Sequence, residues 1–251
     1  MKLRKTIRQD WILVFGLLAA MASISATAAK ADGYGLGKVV EPGEEYAGKT
    51  YNELVSQWSN WLVKEPFATN PAFDLDGSLC DRNQEGRVWF LASTFEGVAN
   101  RTCEIPGGKA IFVSLGGAFL SFAPEFPEAG DPCLALAPGV GRVRCDVNRD
   151  VPGAPAISLE AALDGVPVKD LFAYRTESEP GGFTLRAGNP SFLTDLGFPA
   201  GNRTPSVASG YFLFLRPLSR GLHTLRIRMV NPDQTVTGVN YRLVIGDGHD
   251  D

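Results

Sequence analysis

Between Ile157 and Ile245 the chain alternates apolar and polar residues in short runs, a period of two that suits half-buried strands and no helix. Ile157, Leu159, Ala161 and Leu163 share one parity, and Asp164-Gly165 turns the chain after them. Leu225, Ile227 and Met229 face one way against Thr224, Arg226 and Arg228. Val239, Tyr241, Leu243 and Ile245 repeat the pattern, while Tyr211 to Leu215 is apolar on both faces. Phe172/Tyr174 and Phe183/Leu185 are further strand candidates. Strands so spaced, with no long helix between them, predict antiparallel sheets packed face to face: an all-β fold, a β-sandwich.

The first half reads less regularly. Val88–Ala92, Ala110–Val113 and Ala118–Leu120 are short apolar runs bounded by Gly and Pro, and predict buried strands. One segment competes as a helix. Thr50 and Glu53 form a capping box, Leu54, Val55, Trp58, Trp61 and Leu62 follow at helical spacing, and Pro66 ends the run. The spacing predicts a short amphipathic helix near 51–64 that docks both tryptophans on the core; a sugar platform is the other use of such a stripe. Residues 67–87 mix turn formers with isolated apolar groups and predict a loop tied down by Cys80. Residues 123–156, rich in Pro and Gly, predict an irregular stretch tethered by a disulfide. The expected organisation is a leader over 1–31, a β-rich portion over 32–155 with the helix, and a sandwich portion over 156–251. The last two are able to share one core.

The leader carries Lys2, Arg4, Lys5 and Arg8, an apolar run from Trp11 to Ala22, then small residues ending in Ala29-Lys30-Ala31. That order is a secretory signal peptide, with a run too short to span a bilayer. The expectation is a secreted or periplasmic protein with no membrane span after cleavage. Removing 1–31 takes away Lys2, Arg4, Lys5, Arg8 and Lys30 against Asp10, lowering the net charge from −4 by four, to −8. Such a surface repels phosphate backbones, so nucleic acid is not an expected partner. Cys80, Cys103, Cys133 and Cys145 all follow the leader, and an even count in an exported chain reads as two disulfides. Three connectivities exist; Cys80–Cys103 with Cys133–Cys145 closes the shortest loops. No C-x-x-C occurs and no His lies near a Cys, against zinc.

Little catalytic chemistry is written here. Ser114 lacks the first glycine of a nucleophile elbow. His223 shares parity with Leu225 and Ile227, which places it at a sheet end with its nitrogens on backbone, and His249 lies in an acidic tail. Asp74, Asp76 and Asp81 surround Gly77, but at spacings unlike a calcium loop, and a solvated turn is expected. Glu96, Glu104, Glu125, Glu128 and Glu160 supply acids for a glycosidase pair that sequence cannot place across a cleft. Trp89 is expected in the core; were it on the outer face of its strand it would stack on a sugar ring, with Arg101 and Asn83 or Gln84 adding polar contacts. No cofactor and no metal are expected.

Two resemblances add to this reading. Leu218-Ser219-Arg220-Gly221-Leu222-His223-Thr224-Leu225, with the Leu163-Asp164-Gly165-Val166 hairpin, resembles the strand–corner–strand of bacterial immunoglobulin-like domains. It implies such a sandwich over roughly residues 156–247. Trp58-x-x-Trp61-Leu62, Asn70-Pro71, Cys80-x-x-Asn83-Gln84, Val88-Trp89-Phe90-Leu91 and Arg101-x-Cys103-x-Ile105-Pro106-x-Gly108-Lys109-Ala110 together resemble an uncharacterised family of secreted bacterial proteins. That family usually carries Phe-Pro where this chain has Val113-Ser114, and it transfers no catalytic residue. The reading is an exported, non-catalytic binding or structural protein of the periplasm or cell envelope, with carbohydrate or another envelope protein as partner. Its rival is a secreted carboxylate-dependent hydrolase acting on glycans.

Overall fold

Strands dominate the fold, a computed structural model that describes residues 36–122, 132–150, 158–231 and 233–247. In chain order they are β1 (Val39–Val40), β2 (Val88–Leu91), β3 (Val98–Ile105), β4 (Ala110–Phe122), β5 (Ser158–Leu163) and β6 (Val166–Pro167). There follow β7 (Arg175–Glu177), β8 (Phe183–Ala187), β9 (Gly201–Leu215), β10 (Gly221–Val230) and β11 (Val236–Ile245). Helices α1 (Tyr51–Lys64), α2 (Val140–Asp150) and α3 (Phe192–Asp195) lie between them. One sheet runs β1-β9-β4-β2, with β7 and β8 also on β9; the other runs β3-β11-β10-β5-β6.

Both sheets are mixed, which corrects the antiparallel expectation. β2 lies parallel to β4, and β3 parallel to β11, with Val98 opposite Gly238 and Ile105 opposite Ile245. Strands from either side of residue 155 therefore neighbour each other, and Gly33–Asp251 forms one compact unit. Apolar side chains of both sheets enter one buried cluster, among them Phe112 and Phe214 from the first and Ile227 and Leu243 from the second.

Helix α1 forms where the sequence places it. Thr50 Oγ1 accepts the Glu53 N–H, and Glu53 accepts the Thr50 N–H at 3.0 Å, the reciprocal capping box. Its apolar stripe covers the face of the first sheet that carries Phe112, Phe212 and Phe214. Trp58 meets Phe212 at 5.2 Å between ring centres, and Tyr51 lies edge-on to Phe112 and Phe214. Trp58 and Trp61 are both buried, so neither offers a platform to a sugar.

Four local expectations change. The segment Leu171–Tyr174 is a short 3-10 turn and its strand starts only at Arg175; β9 begins at Gly201, well before Tyr211; and β3 is an added strand. The stretch 123–156 is not irregular throughout, since α2 occupies its middle. Val143 and Val147, one turn apart, pack on Val207 of β9 with Val140 beside them. The cysteines pair in sequence order, Cys80 with Cys103 and Cys133 with Cys145. The second bridge holds α2 to the segment before it across a separation of 12 residues. Closing a loop of that size stabilises by about 3 kcal/mol. The Cys133→Ser/Cys145→Ser variant is expected to lose about that much in urea denaturation, and an unchanged midpoint would contradict it.

Candidate functional site

The residues singled out as a ligand site gather around strand β2, with Trp89 and Arg101 buried and Asn83 and Gln84 half-buried. β2 is buried at every position, so Trp89 has no outer face, and its Nε1 finds no partner among the described residues. Gln84 lies along the strand's free edge as a substitute for a neighbouring strand. Its Nε2 donates to the Phe90 carbonyl at 2.8 Å and to that of Cys80, while its Oε1 accepts the Phe90 N–H at 2.8 Å. An edge so plugged cannot template another chain. Asn83 sits at φ 51 and donates to Glu65 Oε1 at 2.7 Å. Trp58 Nε1 donates to the Leu91 carbonyl.

Arg101 points into the protein from β3 and is 2% exposed. Its Nε donates to Asp74 O at 2.7 Å, Nη1 to Ala92 O at 2.6 Å and to Tyr241 Oη at 2.9 Å, and Nη2 to Ala72 O at 3.2 Å. The Tyr241 hydroxyl donates in turn to Ala92 O at 2.6 Å, and burial raises its pKa against the opposing pull of Arg101. The guanidinium therefore pins loop 70–80 and the end of β2 to β3, with no face turned to solvent. The expected sugar-binding set is a structural clamp instead, because a guanidinium fork can serve several backbone carbonyls that no strand reaches.

Asp74 belongs to the same clamp and is buried, while Asp76 and Asp81 of the same turn are exposed as expected. The Asp74 carboxylate accepts the N–H groups of Asp76, Gly77 and Leu79, three donors that hold the loop where a cation would otherwise be sought. Across the sheet, His223 Nδ1 lies 2.6 Å from Asp164 Oδ2, and Nε2 lies 2.9 Å from the Ser219 carbonyl and 3.1 Å from Ser219 Oγ. One nitrogen thus meets a carboxylate, where backbone alone was expected. A serine nucleophile needs that Nε2 as its acceptor, and here the carbonyl of the same serine competes for it. With Asp164 Oδ1 accepting the Thr224 N–H at 2.8 Å, the group ties the corner before β10 to the 164–165 turn.

Of the candidate acids, Glu104 and Glu160 do not converge. Glu104 on β3 and Glu160 on β5 lie at opposite edges of a four-strand span, about 14 Å apart laterally, before their offset along the strands is added. A glycosidase pair sits about 5–10 Å apart. Glu125, Glu128 and His249 lie outside the described residues.

What the sequence reading missed is a partly exposed aromatic cluster, with Phe73 and Phe95 outermost and Phe67 and Phe192 half-buried. Phe67 and Phe73 come from the loop after α1, Phe95 from the β2–β3 turn and Phe192 from α3. Phe73 and Phe95 stack at 4.9 Å, Phe95 and Phe192 at 5.6 Å, and Phe67 meets Phe73 at 4.8 Å and Phe192 at 5.2 Å. Phe73 is 40% exposed and Phe95 48%, and Leu75 and Leu196 on the same loops are exposed too. Asp195 fixes the arrangement by accepting the Phe67 N–H at 2.7 Å. The only signal in the sequence is aromatic residues stranded among turn formers. Among the described residues no helix is long and apolar enough to cross a membrane. Compared with protein-family models, curated proteins and solved structures, the chain matches none.

Proposed function

We propose that this chain is an exported β-sandwich protein of the periplasm or cell envelope that binds another envelope protein and carries out no catalysis. Residues 1–31 serve as its leader, residues 156–251 form the immunoglobulin-like part, and the chain belongs with the uncharacterised secreted proteins its motifs resemble. Two disulfides support an oxidising compartment, and an acidic chain speaks against nucleic acid.

The observation that carries the binding role is the exposed phenylalanine cluster. Contiguous exposed apolar patches mark interaction sites. Phenylalanine supplies faces without a polar handle, whereas sugar recognition needs placed hydrogen-bond donors and acceptors beside the ring. A protein surface fits better than a glycan. The full chain, expressed with its leader, is expected in the periplasm with Asp32 as its first residue. On immobilised envelope protein it is expected to be retained, and Phe73→Ser/Phe95→Ser to lose retention while circular dichroism shows it still folded. Retention on envelope polysaccharide alone, or turnover of a glycan, would refute the proposal.

A further inference from the structure

The acids around the phenylalanine cluster specify what docks there. We infer that the partner presents a cationic, apolar segment, lysines or arginines set among aliphatic side chains; this rests on the docking role proposed above. The three stretches that build the cluster are 65–81, 92–97 and 188–199. They carry Glu65, Asp74, Asp76, Asp81, Glu96 and Asp195, while Lys64 and Arg82 flank the first stretch, Lys64 being paired with Glu85. Asp74 is buried in its own loop, but Asp76, Asp81, Glu96 and Asp195 are exposed. Glu96 follows Phe95 directly, and Asp195 is bonded to the backbone of Phe67.

An apolar centre with acids directly beside its rings, Glu96 next to Phe95 and Asp195 on Phe67, selects a partner of the other sign, because juxtaposed like charges cost several kcal/mol and slow encounter. The ring faces add to the selection, since a lysine or arginine over a phenylalanine is attracted to its face. The same acids disfavour a second copy of this chain and an acidic glycan.

Three peptides test the inference by fluorescence anisotropy on the protein recovered from the periplasm: amphipathic leucine–lysine and leucine–glutamate, and a wholly polar serine–lysine control. The leucine–lysine peptide is expected to bind about tenfold or more tightly than either other peptide, and to weaken as salt rises. Glu96→Gln/Asp195→Asn should narrow that preference; the new asparagine still offers Phe67 an acceptor. Phe73→Ser/Phe95→Ser should abolish binding. Equal binding of the lysine and glutamate peptides, both lost in the phenylalanine variant, would overturn the charge inference and leave the docking surface standing. Binding indifferent to the phenylalanine variant would overturn both. Self-association that disappears in the phenylalanine variant would replace the cationic partner with a second copy.

Discussion

Arg101→Met will cost about 3–5 kcal/mol of folding stability, the loss expected when a buried charged group with a full set of partners is removed. Methionine matches much of the arginine's length and apolar volume, so the cavity contribution is small. What it cannot supply is donors. The carbonyls of Ala72 and Asp74 lie in an irregular loop outside any strand ladder, and both accept from Arg101. Ala92 O keeps the Tyr241 hydroxyl, which itself loses the Arg101 donor. Each buried acceptor left without a donor costs about 1–3 kcal/mol. Arg101→Lys should recover little, because an ammonium is a compact point and cannot reach carbonyls on three sides as the planar fork does. Urea denaturation at constant slope measures the loss. A methionine variant within about 1 kcal/mol of the parent would show that the carbonyls find water, and the clamp would then not be what holds the loop.

Arg101 also shows why β3 escaped the sequence reading. Val98–Ile105 alternates without fault, but its inward set is Ala99, Arg101, Cys103 and Ile105, and an arginine on the core side breaks the apolar code. Only the distant loop carbonyls make that side chain tolerable inside, and they are invisible locally. Its partner β11 lies in parallel register more than a hundred residues away, so no hairpin announces the pair. Strands β5, β10 and β11 were legible because each keeps apolar residues on one side, and α1 because its capping box and stripe are local. Helix α2 was not. Val140, Gly141, Val143 and Cys145 are weak helix formers, and only Val140, Val143 and Val147 mark the helix's inner face. The phenylalanine cluster has the same difficulty in stronger form: its four rings are scattered over three separate stretches, and the surface exists only once those loops meet.

Gly77→Ala will destabilise by more than about 3 kcal/mol, far beyond what its backbone angle alone accounts for. Gly77 sits at φ +98, a region costing an alanine about 1–2 kcal/mol. Space is the larger obstacle. A Cβ there would stand 2.2 Å from Thr102 O and 2.6 Å from Thr102 N, both backbone atoms of β3. Nothing in that contact is the end of a flexible side chain, so the loop itself has to lift. Lifting breaks the 2.8 Å bond from Thr102 N to Asp76 O, draws Asp74 O away from Arg101, and pulls on Cys80, which the disulfide fixes to Cys103 of the same strand. Gly86 is the control. It too has positive φ, at +68, but a Cβ there meets nothing within 4 Å. Gly86→Ala should therefore cost only the conformational part, about 1 kcal/mol. The gap between the two variants measures how tightly loop 70–80 is pressed onto β3. If both alanines cost the same, the loop yields freely, and Arg101, Asp74 and the Cys80–Cys103 bridge act as separate contacts and not as one clamp.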